Sequence, residues 1–253
     1  MNSFEAALFT CVYLHLFLCI STIISNERHL LLCLSPGRVS TRIVIFLILI
    51  FSAGCQSNVP ASQVTTGAVL LRDDFSRPRT WDSYALEGVD FQVAQGVYRA
   101  RVTGGVYVWG LNRQAHDDVV IEAESRQLST DDNNGYGVMC RADPANDGDG
   151  YYFLISSDGT YSIRRGRGQE VEALIPWERS SAINTGSARN TIRVFCVGDY
   201  LALYVNGQFV AETVDMMYHR GYTGFAVVAL TGNEIDVAFD NLTVWEATFA
   251  PGA

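Results

Sequence analysis

Two carboxylates one residue apart are the first feature of this 253-residue chain that could do chemistry. In Ile121-Glu122-Ala123-Glu124-Ser125-Arg126, Glu122 and Glu124 point to one face of an extended strand, roughly 7 Å apart by strand rise. Glycoside hydrolysis needs two carboxyl groups at a controlled separation, so these are the candidate catalytic residues. Other chemistry is missing. After Cys55 the only histidines are His116 and His219, and neither belongs to a His-Glu-x-x-His pair. There is no Gly-x-Ser-x-Gly elbow and no phosphate-binding Gly loop.

Oxygen-rich segments offer a weaker lead towards calcium, which takes six to eight oxygen ligands. Asp131, Asp132, Asn133 and Asn134 form one such loop, and Asp143, Asn146, Asp147 and Asp149 another. The second lacks full calcium-loop spacing, and solvated turns share this composition. Asp73, Asp74 and Asp240 are further metal candidates, because they meet if the first and last strands pair. Aromatic side chains offer a route to sugar binding, with rings stacking on pyranose faces. Tyr107 and Trp109 share a face of one strand. Tyr152 lies opposite the Tyr151, Phe153, Ile155 set. Together with Arg141, Arg193 and Glu122, they are candidates to line one open, concave sheet face. The competing reading is that such rings are core residues, which is expected for Trp81, Trp177 and Trp245 above all.

The elements that position these residues are short and extended. β-rich runs fall at 68–75, 81–86, 90–94, 97–103, 105–111, 118–128, 135–142, 151–157, 160–165, 170–175, 190–197, 200–205, 208–214, 222–230 and 235–246. Turn pairs separate them at Asp158-Gly159, Gly198-Asp199, Asn206-Gly207 and Gly232-Asn233. Asn206-Gly207 suits the two positive-φ residues of a type I′ hairpin turn. No segment has a helical period. The expected fold is all-β, an antiparallel two-sheet β-sandwich spanning 68–247 with a short tail at 248–253. Alternation puts Cys140 with Tyr136 and Val138, and Cys196 with Ile192 and Val194, on core-facing sides. One buried disulfide is therefore expected, two buried free thiols being the alternative.

The N-terminal region differs in kind. Arg38 and Arg42 precede the apolar run Ile43–Phe51, which is short for a membrane span; Ser52, Ala53 and Gly54 then lead to Cys55. Residues 38–55 thus resemble the signal and lipobox of bacterial lipoproteins, departing at Ser52, where Leu is usual. The resemblance implies acylation of Cys55, and Gln56 after it permits outer-membrane delivery. Residues 56–67 are small and polar and read as a flexible tether. Residues 1–37 fit poorly: either translation starts further downstream, or residues 6–25 form a membrane helix. Six cysteines in an exported chain, two of them in the soluble part, fit this picture.

Net charge is −9, carried by 27 acids against 18 Arg with no lysine. That balance argues against nucleic acid and against an electrostatic grip on anionic lipid.

Several segments together resemble the laminin-G-like jelly rolls of the concanavalin A-like lectin/glucanase superfamily, over about residues 68–247. They are Leu71-Arg72-Asp73-Asp74-Phe75, Tyr136-Gly137-Val138-Met139-Cys140-Arg141, Tyr151–Gly159, Ala182–Gly186, Arg193–Gly198, Leu203–Gly207 and Val237–Val244. Similar bacterial proteins are secreted or lipid-anchored, and some relatives carry a 3-keto-disaccharide hydrolase label. The fold hosts lectins, carbohydrate-binding modules, glycosidases and adhesive domains. Jelly-roll glucanases carry Glu-x-Asp-x-Glu on the catalytic strand; here the series from Glu122 continues to Glu124 and ends in Arg126, so the acid/base is missing. The expectation is a non-catalytic, surface-anchored domain of the cell envelope that binds a glycan, with no cofactor or with Ca2+. A hydrolase on the same fold and an adhesion or structural lipoprotein with a protein partner are the alternatives.

Overall fold

The computed structural model describes residues 63–77, 81–145, 147–168, 170–230 and 233–250. The lipidation candidate Cys55, the signal-like segment, residues 1–37 and Asn146 lie outside them.

Fifteen strands follow one another: β1 Val64–Asp73, β2 Tyr84–Leu86, β3 Val89–Ala94, β4 Val97–Thr103, β5 Tyr107–His116, β6 Val119–Gln127, β7 Gly135–Ala142, β8 Gly150–Ile155, β9 Thr160–Arg167, β10 Glu170–Arg179, β11 Arg189–Val197, β12 Tyr200–Val205, β13 Gln208–Val214, β14 Gly221–Val228 and β15 Glu234–Phe249. They form two antiparallel sheets. Sheet A runs β13-β12-β11-β6-β15-β4-β3-β2, with β1 also paired to β15; sheet B runs β10-β9-β8-β7-β14-β5. The strands match the fifteen extended runs of the sequence one for one.

The ends differ. β1 begins at Val64, inside the stretch read as a tether, and β15 runs to Phe249, past the expected boundary at 247. The cause is mutual pairing: Val64↔Phe249 and Thr65↔Thr248 give both segments a ladder partner, which local polarity does not reveal. The Asn206-Gly207 hairpin forms as expected, with φ of 52° and 77° at its two central residues and Val205 opposite Gln208.

The core lies between the sheets. Tyr136, Val138, Phe153 and Phe225 of sheet B face Ile121, Val194, Leu203 and Phe239 of sheet A. Phe225 and Phe239 stack across the gap with centroids 4.2 Å apart. Cys140 on β7 and Cys196 on β11 are bonded to each other, so the disulfide ties sheet B to sheet A inside the core. Among the described residues no helix is long and apolar enough to cross a membrane.

Candidate functional site: an aromatic trough on the outer face of sheet B

Each sheet has a second, outer face, and the predicted site residues divide between the two. Tyr107, Trp109 and Tyr152 stand on the outer face of sheet B, packed with Leu111, Met139 and Ala226. Glu122, Glu124 and Arg193 belong to β6 and β11 of sheet A. Arg193 lies directly opposite Glu122 in register, with 3.6 Å between their charged atoms, and its guanidinium sits 5.5 Å from the Trp245 ring centroid. Trp245 packs with Phe195 and Tyr200 on that other face. Glu124 pairs with Arg189 at 2.7 Å. Cross-strand charge pairing accounts for both glutamates.

Arg141 belongs to neither face. It sits in a bulge of β7 at φ 53°, and its side chain is 1% exposed. It donates to the carbonyls of Asp117 (3.2 Å), Gly198 (2.7 Å) and Tyr218 (2.9 Å) and pairs with Asp118 at 2.8 Å. The bulge rotates Arg141 away from the face that strict alternation assigns to it. It pins three loops at one end of the sandwich.

The outer face of sheet B is a trough because, Met139 apart, its middle strands carry small residues in two neighbouring rows. In one row across the sheet, Leu111, Gly224, Met139, Tyr152 and Arg164 are register neighbours; in the next, Trp109, Ala226, Gly137 and Leu154 are. A Cβ on Gly224 would lie 2.4 Å from Leu111, and one on Gly135 would lie 3.0 Å from the Trp177 ring. Side chains from the flanking strands therefore fold inward over β7 and β14. The Tyr107 and Tyr152 rings meet edge-on at 6.0 Å, and the Arg164 guanidinium lies 5.8 Å from the Tyr107 centroid.

Arg164 also donates to Ser162 Oγ (3.2 Å) and the Val171 carbonyl (3.2 Å), while its Nε is buried without a hydrogen-bond partner. Burial pushes the Tyr107 hydroxyl above its usual range, against the opposing pull of Arg164. Arg164 and Trp177 were not among the expected site residues. They come from the far strands β9 and β10, and only sheet order brings them here.

The β7–β8 connection closes the trough. Its described residues Asp147–Asp149 lie against the face: the Tyr152 hydroxyl donates to Gly148 O at 2.6 Å, and Trp109 packs on Gly148. Tyr152 is thus fully buried and forms a wall rather than an exposed stacking surface. Asp149 accepts from the Gly168 amide. Beside Gly148, Gly168 and β5 lies an open groove of about 790 Å³, lined by Val106, Tyr107, Trp109, Asp147 and Val171 together with Gly105, Gly148 and Gly168.

Metal-capable groups collect in the same loop. One carboxylate oxygen from each of Asp143, Asp147 and Asp149 lies within 4.8 Å of the others. The first and last strands do pair, as anticipated, but Asp73 is committed to other donors: it accepts from Phe75 N (2.9 Å) and Trp81 Nε1 (3.0 Å). Asp74 accepts from Ser76 N, and Asp240 from Asn241 N. Among the described residues these three do not form a metal-capable cluster.

No protein-family model matches the sequence, and neither does any curated protein. Solved structures do match the fold. A carbohydrate-binding module, CBM66 from Bacillus subtilis, aligns over 73% of this chain and 96% of its own at 16% identity and TM-score 0.51. A protein of unknown function with a galectin-like fold, also from Bacillus subtilis, aligns over 73% and 98% at 13% identity and TM-score 0.54. The β-glucanase of Bacillus licheniformis aligns over 72% and 99% at 10% identity and TM-score 0.53. The sandwich is similar in fold to these proteins, the two-sheet jelly roll that the sequence pattern implied.

Proposed function

We propose that this domain binds a carbohydrate in the trough of sheet B and does not cleave it. The observation that carries this is the open groove lined by Tyr107 and Trp109 together with the carboxylate of Asp147. Aromatic faces pack against the C–H faces of a pyranose, and a carboxylate accepts from its hydroxyls. The likeness in fold to a carbohydrate-binding module supports the same direction.

Hydrolysis fits less well. Glu122 and Glu124 stand on the other sheet, each beside an arginine. The acids nearest the groove cluster within 4.8 Å of one another on one loop, whereas a glycosidase needs carboxyl groups flanking the scissile bond.

The same reading places the domain in the cell envelope, anchored through an acylated Cys55. The sequence around Cys55 supports it, and the internal disulfide fits an oxidising compartment.

A glycan-array screen of residues 57–253, with and without calcium, tests the binding function. That stretch is one compact unit. Retention of a defined sugar class is expected, and it should disappear in Trp109→Ala. A blank array in both conditions contradicts the proposal and shifts weight to a protein partner.

A further inference from the structure

We infer that the ligand is amphipathic: a glycoside whose sugar occupies the groove and whose hydrocarbon aglycone occupies a separate apolar slot beside it. The inference rests on the groove being the sugar site. The slot has a volume of about 180 Å³ and is lined by Tyr84, Leu86, Val89, Tyr107, Val108 and Trp109, with no charged side chain among them. It opens where the edge strand of sheet B, β5, faces the β2–β3 hairpin at the edge of sheet A. The outer edge of β5 is bridged further along, at Trp81↔Asn112.

Groove and slot share Tyr107 and Trp109. The two spaces are therefore neighbours along β5. The linings differ in chemistry: the groove carries the carboxylate of Asp147 beside Val106 and Val171, and the slot is lined by aliphatic and aromatic residues alone.

An apolar side chain stands open at this place: Leu86 at the hairpin end is 69% exposed. The slot offers no charged side chain to a sugar's hydroxyls, whereas an alkyl chain in it leaves water at about 0.8 kcal/mol per buried methylene, roughly fourfold in affinity. The division matches a single molecule with a polar head and an apolar tail.

Calorimetric titration of residues 57–253 with methyl, butyl and hexyl β-D-glucopyranosides and β-D-galactopyranosides, all below micelle-forming concentrations, tests this. Affinity should rise roughly fourfold per methylene until the slot is full. Leu86→Asp, at a position exposed enough to leave the fold intact, should flatten that series and leave the methyl glycosides unaffected. Equal affinity for methyl and hexyl glycosides overturns the inference and leaves the groove reading standing. A steep chain-length series identical for glucosides, galactosides and plain hexanol, and indifferent to Asp147→Asn, overturns the groove reading and the inference with it. Absence of binding by every probe overturns the inference. A dimer in sedimentation that Leu86→Asp dissociates does too, because the slot would then be filled by a second copy of the chain.

Discussion

Tyr107 on β5 and Tyr152 on β8 meet edge-to-face at 6.0 Å, although β14 and β7 lie between their strands. Three strand spacings separate the two backbones, roughly 14 Å at about 4.8 Å per spacing. The rings close that distance because Gly224, Ala226 and Gly137 leave the middle of the sheet low. The trough is thus a product of what the central strands omit as much as of what the flanking strands supply.

Tyr107 and Trp109 are the rings that border the groove, so their removal should affect binding far more than folding. Tyr107→Ala and Trp109→Ala are each expected to weaken glycan affinity by about five- to thirtyfold, in line with about 1–2 kcal/mol of ring contact. Both are partly exposed, and the melting temperature should fall only modestly. Titration and thermal melting of the same samples separate the two effects; equal affinity for wild type and both variants would place the ligand elsewhere.

Arg141 was a candidate ligand contact on sequence, but its position predicts a stability phenotype. Arg141→Met leaves three loop carbonyls without its donors, while Asp118, 41% exposed, keeps the Gly198 amide. About 1–3 kcal/mol of stability should be lost, read as a shift of the urea midpoint. Glycan affinity of the folded protein should stay within twofold. A variant as stable as wild type would show that loop carbonyls find other donors.

The disulfide joins residues 56 apart in sequence and ties the two sheets together. Cys140→Ala with Cys196→Ala should cost about 2–4 kcal/mol, through a less constrained unfolded chain. Intact mass before and after reduction verifies the bond, and denaturation curves measure the loss. No change in stability would contradict the assignment of a structural role.

Asp236 links stability to acid. Burial pushes its carboxyl up, but hydrogen bonds from Arg99 and Arg101 outweigh that and hold it below the ordinary 3.8. A carboxyl depressed in the folded state contributes stability above its unfolded value; that contribution fades as pH falls below about 3.8 towards the folded value. Asp236→Asn should therefore lower stability at pH 7 and flatten its decline below pH 4. Parallel curves for wild type and variant across that range would rule out the linkage.

Much of the fold was legible because its signals are local. Alternation, Asn206-Gly207 and the two core-facing cysteines each depend on a few neighbouring residues, and each is seen in the structure. The site was less legible because it depends on sheet order. Tyr107 and Trp109 share one strand, so their common face could be read. Arg164 and Trp177 reach the trough only because β9 and β10 lie on the same sheet, which no local pattern encodes. The same gap allowed Arg193 and Glu122 to be grouped with the aromatic residues, although they lie on the opposite sheet. Arg141 was misplaced by a bulge, an irregularity that breaks the period-two rule.

The most direct measurement is a crystal structure of residues 57–253 with the glycan that the array retains most strongly. A sugar ring is expected against Trp109 and Tyr107, with a hydroxyl within hydrogen-bond reach of Asp147. A sugar bound instead beside Arg193 and Trp245 on the outer face of sheet A would contradict it.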